Sequence, residues 1–362
     1  MTLAAIAAYC GNPFLLHKMP YYFETEPFFG SLQADNNQSP GNIDCFTKQA
    51  PLPYSLHHLK FGGEIRKVMT YNTETLAKKR NGEWLKSPQS LEALAKIILQ
   101  ARPDIIALQE VGSPDVLRYF NREYLRGAYP HIVQIPALIA GQQRNVAIMA
   151  NEELELVGAV SHHKRFKILD CRHQHRDILE ATFQTPSGYE FTLFSVHFKS
   201  MANGEKESQT QRLEEAQVLA DIVQTRLKAE PDAHIIVAGD FNTLPDSDYG
   251  QAVLNLATGR SASRRDGFLS DPTLEKKEPQ NATPTHQTRR KEEQKSKLDY
   301  IFVSPGLSPF VHHSRVVGTL KDKHYRDASD HLPVMLTFEE AAVPVAEQDQ
   351  KSKPARHLDL AA

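Results

Sequence analysis

The chain predicts an α/β (α+β) protein in which packed β-sheets are flanked by helices. Short apolar runs rich in β-branched and aromatic residues outnumber the helical stretches. Several neighbouring runs are separated only by hairpin-length loops, which a purely parallel sheet does not allow. Two longer segments carry apolar residues at helical spacing and supply the flanking layer.

In chain order, regular alternation begins at "EIRKVMTYN", which predicts a first strand ending at Asn72. "SPQSLEALAKIILQAR" predicts a helix: Ser87 and Pro88 form an N-cap and first-position pair, and Leu91, Leu94, Ile97 and Ile98 share one face. Strands are then expected at "DIIALQEV", "RNVAIMA", "ELVGAV", "DILEATF" and "FTLFSVHF". "ESQTQRLEEAQVLADIVQTRLKAE" predicts a second helix, with Leu213, Ala216, Leu219, Val223 and Leu227 as its stripe. Three further strands follow at "HIIVAGDF", "KLDYIFVS" and "LPVMLTF". No internal repeat is legible.

Around this core, residues 1–60 are rich in turn formers and read as an irregular extension, 61–340 as the catalytic domain, and 341–362 as a flexible tail. With 362 residues, 40% apolar and 24% charged, the composition is that of a globular chain with a sizeable core. No apolar stretch reaches the ~20 residues of a membrane span. A formal charge of −2 gives no global pull toward a polyanion, so any nucleic-acid contact must come from local basic patches. Cys10, Cys45 and Cys171 are too few and too scattered for a disulfide framework or a CxxC metal site, which favours a reducing, cytoplasmic setting. Export through the apolar start "MTLAAIAAYCGNPFLL" is the alternative, although no Lys or Arg precedes it. A monomer is expected.

The informative feature is that apolar strands carry polar residues at their ends. Asn72 closes the first strand, Glu110 interrupts "IIALQEV", and His197 sits in the aromatic "LFSVHF". Asp240 and Asn242 end "HIIVAGDFN" two residues apart, a spacing that puts both side chains on one face of an extended strand. Asp299 opens "DYIF", and Asp330 with His331 precedes "LPVMLTF". A single such residue is ordinarily a satisfied buried polar group. A whole set of them would each cost roughly 1–3 kcal/mol if unmatched, so convergence on one site is the simpler reading. The set is hard oxygen chemistry with two imidazoles, which suits Mg²⁺ or Mn²⁺ over Zn²⁺ and implies a phosphate ester as substrate.

Taken together, "LQEV", "GDFN", "LDYIF" and "SDHLP" resemble the endonuclease/exonuclease/phosphatase superfamily in order over residues 64–338. The resemblance implies a four-layer α/β/β/α sandwich of two packed mixed sheets, the deoxyribonuclease I-like fold. It implies that Glu110, with Asn72 and Asp330 beside it, holds the metal. By the same resemblance Asp240 activates the attacking water, Asn242 orients it, and His331, oriented by Asp299, binds the phosphate or moves a proton. His197 matches a second catalytic histidine of some members. The base and acid roles remain interchangeable among Asp240, His197 and His331.

The segment from "HRDILEATF" to "HFKS" is closest in pattern to a bacterial nuclease-like branch and marks Arg176 and Lys199 as candidate phosphate contacts, with a structural ion pair as the alternative for each. "TRRKEEQKSK" carries five basic and two acidic residues and could flank the cleft, or simply be solvated. A nucleic-acid substrate, DNA or RNA, is therefore expected. The alternative is a lipid or small-molecule phosphodiester on the same fold, and the remaining one is a non-catalytic binding protein.

Overall fold

The computed structural model describes residues 63–342, apart from 80, 136–143, 167–175, 203, 261–266, 273–283 and 289–294. The expected N-terminal extension, nearly all of the tail, the three cysteines and most of the basic stretch 288–297 lie outside those residues. All the described residues fall in one unit, Lys60–Ala362.

Every expected strand forms: β1 (Ile65–Leu76), β2 (Ile105–Val111), β4 (Asn145–Ala150), β5 (Glu155–Ser161), β6 (Leu179–Gln184), β7 (Glu190–His197), β8 (Ile235–Asp240), β11 (Asp299–Val303) and β13 (Val334–Glu339). Four short strands were not legible in the sequence, namely β3 (His131–Val133), β9 (His286–Gln287), β10 (Lys295–Ser296) and β12 (Val311–Val316). Two or three residues are too few for a period to show, and β12 ("VHHSRV") is largely exposed and polar. The two expected helices are α1 (Pro88–Ala101) and α3 (Glu205–Ala229); α2 (Pro114–Glu123), α4 (Asp248–Thr258) and α5 (Lys323–Ala328) are additional.

The caps explain where α1 starts and stops. The Ser87 side chain accepts from the Ser90 backbone, Pro88 opens the first turn, and Arg102 closes the helix in a left-handed conformation (φ 50°). Leu91, Leu94, Ile97 and Ile98 are all buried, as their spacing requires. In α3 the stripe holds at Ala216, Leu219 and Val223, whereas the first turns bury Ser208, Gln211, Arg212 and Glu215 instead.

The strands assemble into a six-stranded sheet, β12-β13-β1-β2-β4-β3, and a five-stranded sheet, β11-β8-β7-β6-β5. In each the central pair is parallel, β1 with β2 and β7 with β8, and every other pairing is antiparallel. The sheets pack face to face over Val68, Ala107, Ile148, Ala181, Leu193, Ala238, Ile301 and Leu336. Helices α1 and α2 cover the outer face of the first sheet through Leu94, Ile98, Leu117 and Phe120. Helices α3 and α4 cover the second through Leu219, Val223 and Val253. The result is the four-layer α/β/β/α arrangement of mixed sheets.

Candidate active site

The two-residue period of a strand delivers the site. Side chains that share a face with the inter-sheet core recur at every second position. In β1 that column runs Val68, Thr70, Asn72; in β7 it runs Leu193, Ser195, His197; in β8 it runs Ile236, Ala238, Asp240; and β11 begins it with Asp299 before Ile301. The dry core therefore turns polar at one end of the sheets. Gln109 of β2 lies in the transition, its amide donating to Thr70 Oγ1 at 3.1 Å and to Ser195 Oγ at 3.4 Å. Beyond it Asn72, His197, Asp240 and Asp299 converge, all buried.

Asp240 is the junction. Its Oδ2 accepts from Asn72 Nδ2 at 2.9 Å and Asn242 Nδ2 at 3.1 Å, and lies 3.5 Å from His197 Nε2 and 3.8 Å from His331 Nε2. Its Oδ1 accepts the Asn242 backbone N–H at 2.8 Å. Asn242 reaches Asp240 by a different route from the one its spacing suggests. The strand stops at Asp240, and Asn242 adopts a left-handed conformation (φ 47°) that folds it back, with its amide also donating to Phe198 O at 3.0 Å. The alternation of an extended strand does not apply to that pair.

His331 is held from the opposite side, its Nδ1 paired with Asp299 Oδ2 at 2.9 Å. Burial alone would lower the His331 pKa, but the Asp299 carboxylate, with Asp240 and Asp330 adding to it, overcomes burial and raises it to about 10. Asp240 goes up for the other reason. Burial raises its pKa to about 7, against the opposing charge of His331 and with Asp299 reinforcing the rise. His197 is pushed well below its ordinary value by burial and by the neighbouring Arg176, and its Nδ1 has no hydrogen-bond partner. Near neutral pH the site thus holds a charged imidazole, a neutral one and a carboxyl poised between its two states.

Asp330 Oδ1 lies 3.9 Å from His331 Nε2, and its Oδ2 lies 3.9 Å from His286 Nε2. The His286 ring is tilted against that of His331 at 4.7 Å between centroids. Nothing in "PTHQT" flags His286, because the strand that positions it has two residues.

Glu110 enters from the first sheet. By alternation it would face the helices, but it sits in a left-handed conformation (φ 59°) where the β2 pairing is interrupted between Leu108 and Val111. Its Oε2 accepts from Thr75 Oγ1 at 3.0 Å and lies 3.9 Å from Arg144 Nε, while its Oε1 is 4.0 Å from His197 Nε2. Glu74 and Thr75, also left-handed (φ 48° and 66°), bulge β1 beside it. Such backbone costs about 1–3 kcal/mol per residue and clusters where a side chain must be aimed. Thr75 and Arg144 carry no sequence signal for a site.

Arg176 is fastened by Nη1 to Phe198 O at 2.7 Å, the same carbonyl that accepts from Asn242. Burial lowers its pKa, and the charges of Glu215, Glu110 and Asp240 oppose that, which places its guanidinium in the wall of the site. Lys199 is half-buried one residue past Phe198, its backbone N–H on Glu215 Oε2 at 2.7 Å. The structure thus brings together Asn72, Glu110, His197, Asp240, Asn242, Asp299, Asp330 and His331, with Arg176 adjoining.

The donor set fits a hard divalent cation. Asp240, Asp299 and His331 offer ligand atoms within 4.8 Å of one another and could hold a metal ion. Glu110, 16% exposed, adds a carboxylate that opens toward solvent, as an ion completing its shell with water and phosphate oxygens requires.

Among solved structures the chain is similar to TDP2 from Caenorhabditis elegans (19% identity, TM-score 0.57, 78% of each chain covered). It is likewise similar to the human nocturnin catalytic domain with bound sulfate (20% identity, TM-score 0.55, covering 78% of this chain and 97% of that one). The third is Danio rerio TDP2 complexed with a single-strand DNA product (18% identity, TM-score 0.54, covering 76% and 99%). No curated protein matches the chain by sequence. At these identities the structures establish the fold alone. The model of the endonuclease/exonuclease/phosphatase family, however, matches residues 69–331, most of the chain and every converging residue described above. The chain belongs to the endonuclease/exonuclease/phosphatase family.

Proposed function

We propose that the protein is a metal-dependent phosphodiesterase that hydrolyses nucleic-acid phosphodiester bonds by attack of an activated water. The observation that carries this reading is Asp240, a buried carboxyl with pKa raised to about 7, set 3.8 Å from an imidazole that Asp299 keeps protonated. Two neighbouring groups whose environments push their pKa values apart are matched as base and acid.

In this reading Asp240 accepts a proton from water as the water oxygen bonds to phosphorus. Asn242 and Asn72 hold the carboxylate in place, and the P–O bond to the leaving group breaks. His331, as the imidazolium, donates its proton to the phosphoryl or leaving oxygen, yielding a phosphomonoester and an alcohol. Arg176 offers its guanidinium to the non-bridging oxygens, with Lys199 as a further contact. His197, buried and neutral, bridges Asp240 and Glu110 and can exchange roles with either partner of the dyad. Glu110, with Asn72 and Asp330, would hold Mg²⁺ or Mn²⁺, leaving Asp240 and His331, whose own ligand atoms with those of Asp299 could otherwise hold the ion, to the proton transfers. The ion would neutralise charge developing on the phosphate and lower the pKa of the water. The family and the DNA-bound state of one structural relative support nucleic acid as the substrate class.

The test is hydrolysis of single-stranded DNA, duplex DNA, RNA, sphingomyelin and bis(p-nitrophenyl) phosphate with Mg²⁺, Mn²⁺ or EDTA, with Asp240→Asn as control. Metal-dependent cleavage of a nucleic acid that disappears in the variant is the expected result. Cleavage of the lipid or the small diester alone would keep the mechanism and replace the substrate class.

A further inference from the structure

Each of the two large sheets has two edges, and three of these four edges are guarded against pairing with another chain. β3 is three residues long, β12 presents His312, His313 and Arg315 to solvent, and β11 is buried throughout, with Val303 bridged to Ser270. β5 is the exception. It runs seven residues along the end of the five-stranded sheet, with no strand on its outer side among the described residues. Its one guard is a bulge, because Val157 is the extra residue between the Leu156–Phe183 and Gly158–Thr182 pairs. From Gly158 to Ser161 it lies regularly against β6.

Leu156 and Ala159 stand opposite Phe183 and Ala181, whose side chains enter the core between the sheets, and Val160 stands opposite Glu180 on the other face. Every residue from Glu155 to Val160 is nevertheless exposed, so the first sheet ends short of β5 and the strand overhangs. Leu156, Val157 and Val160, at 37%, 53% and 42%, are half of the six exposed large hydrophobic residues of the described chain. Single apolar residues are ordinary on a surface, whereas three on one open edge mark an interface.

The charges at the two ends of β5 differ in sign. Glu152 and Glu155 are exposed at its start and Lys164 and Arg165 are exposed just past its end, none of them in an ion pair among the described residues. Glu153 is already held by Arg66 at 2.9 Å. The acids nearest the basic end, Asp177 and Glu180, are buried, and Glu180 is bonded to His162 and Arg226.

We infer that β5 pairs antiparallel with β5 of a second copy of this chain, joining two five-stranded sheets across a two-fold axis. A two-fold interface needs one patch that is complementary to itself. Antiparallel pairing sets the acidic start of each strand against the basic end of the other, covers the apolar residues of both, and uses the regular stretch Gly158–Ser161 for the ladder. One edge of seven residues is about 23 Å long. It offers less than the roughly 800 Å² per partner of a standard complex, so the dimer is reversible. Ser161, Leu179 and Ser195 are aligned across their strands, which places the finish of β5 at the end of the sheet that carries His197. The two polar clusters therefore open in opposite directions, each complete in its own chain, and the inference does not depend on the substrate.

The test is sedimentation velocity of the full chain from roughly 1 to 200 μM, a range that brackets micromolar association. A concentration-dependent monomer–dimer equilibrium is expected. Val160→Lys puts a charge on the edge and should weaken it more than about tenfold. Glu155→Lys should weaken it by about tenfold, and the double variant Glu155→Lys with Arg165→Glu should restore it, with far-UV circular dichroism unchanged throughout. The β5 amides should exchange hydrogen more slowly as concentration rises. A chain that stays monomeric, or a dimer that neither Val160→Lys nor Glu155→Lys weakens, would overturn the inference. Amides of β5 protected equally at every concentration in a monomer would also overturn it, by showing that a segment of the same chain covers the edge.

Discussion

The two sheets are built to one plan and end in different chemistry. Strand order β12-β13-β1-β2-β4 in the first matches β5-β6-β7-β8-β11 in the second, with the same sequence of antiparallel and parallel pairings, and a helix joins the parallel pair in each. At the last rung before the register shift of that pair the first sheet sets Asn72 opposite Gln109, and at its last rung the second sets His197 opposite Asp240. Equivalent places in the plan thus hold two neutral amides in one half and two ionisable groups in the other. At that rung the first half offers the Asn72 amide, which donates to Asp240, and the second carries the ionisable pair, while His331 reaches the site from the turn before β13 of the first sheet. Glu110, on β2 of the first half, gets there only by leaving the regular strand geometry.

The largest effect should come from the ionisable half. Asp240→Asn preserves shape and most of the hydrogen bonding, so hydrolysis should fall about a thousandfold with little change in melting temperature. Activity within tenfold of the parent would show that the base lies elsewhere. Asp299→Asn should follow, at about a hundredfold. It also removes the charge that keeps His331 protonated, so the alkaline limb of the pH–rate profile, expected near 10, should move toward neutrality. The same pairing affects folding. Because the His331 pKa is raised from 6.5, the stability it contributes is full below about pH 6.5 and is lost as pH rises through about 10, which thermal melts across that range would register.

Smaller effects test the neutral half. Asn72→Asp exchanges a donor 2.9 Å from Asp240 for a second anion, which raises the Asp240 pKa further. A base must be ionised to work, so the acid limb of the profile should shift to higher pH, with a loss of about tenfold at neutrality. An acid limb that stays put would mean that Asp240 does not report on it. Gln109→Leu alters the rung partner of Asn72 and leaves Thr70 and Ser195 without its amide. It should cost about 1–3 kcal/mol in denaturant melts while the turnover of the folded fraction stays within about threefold. A loss as large as that of Asp240→Asn would erase the distinction between the halves.

Much of this plan was legible in the sequence, for a physical reason. Buried strands need apolar residues at every second place, so a carboxylate or imidazole within the pattern, as at Asp240 or His197, stands out against it. What escaped were features with no period. His286 sits on a strand of two residues, and Thr75 and Arg144 look like ordinary surface residues until the bulge brings them to Glu110. The likeness of the two halves also escaped, because it lies in pairing order while the residues differ. The left-handed backbone at Glu110 and Asn242 was hidden for a related reason: neither residue is glycine, so composition gave no hint of it.

The shared column of side chains has one more consequence. In β7, β8 and β11 the same alternating positions carry the dry core and, at their ends, the converging polar groups, so the register of the strands and the assembly of the site are a single property. A slip of one residue in β8 would put Gly239 or Phe241 where Asp240 belongs and turn the core face of the strand outward. A misaligned strand thus yields a poorly packed molecule whose polar cluster is broken at the same stroke. The architecture checks its own assembly: only molecules with the sheets threaded correctly bring the converging polar residues together.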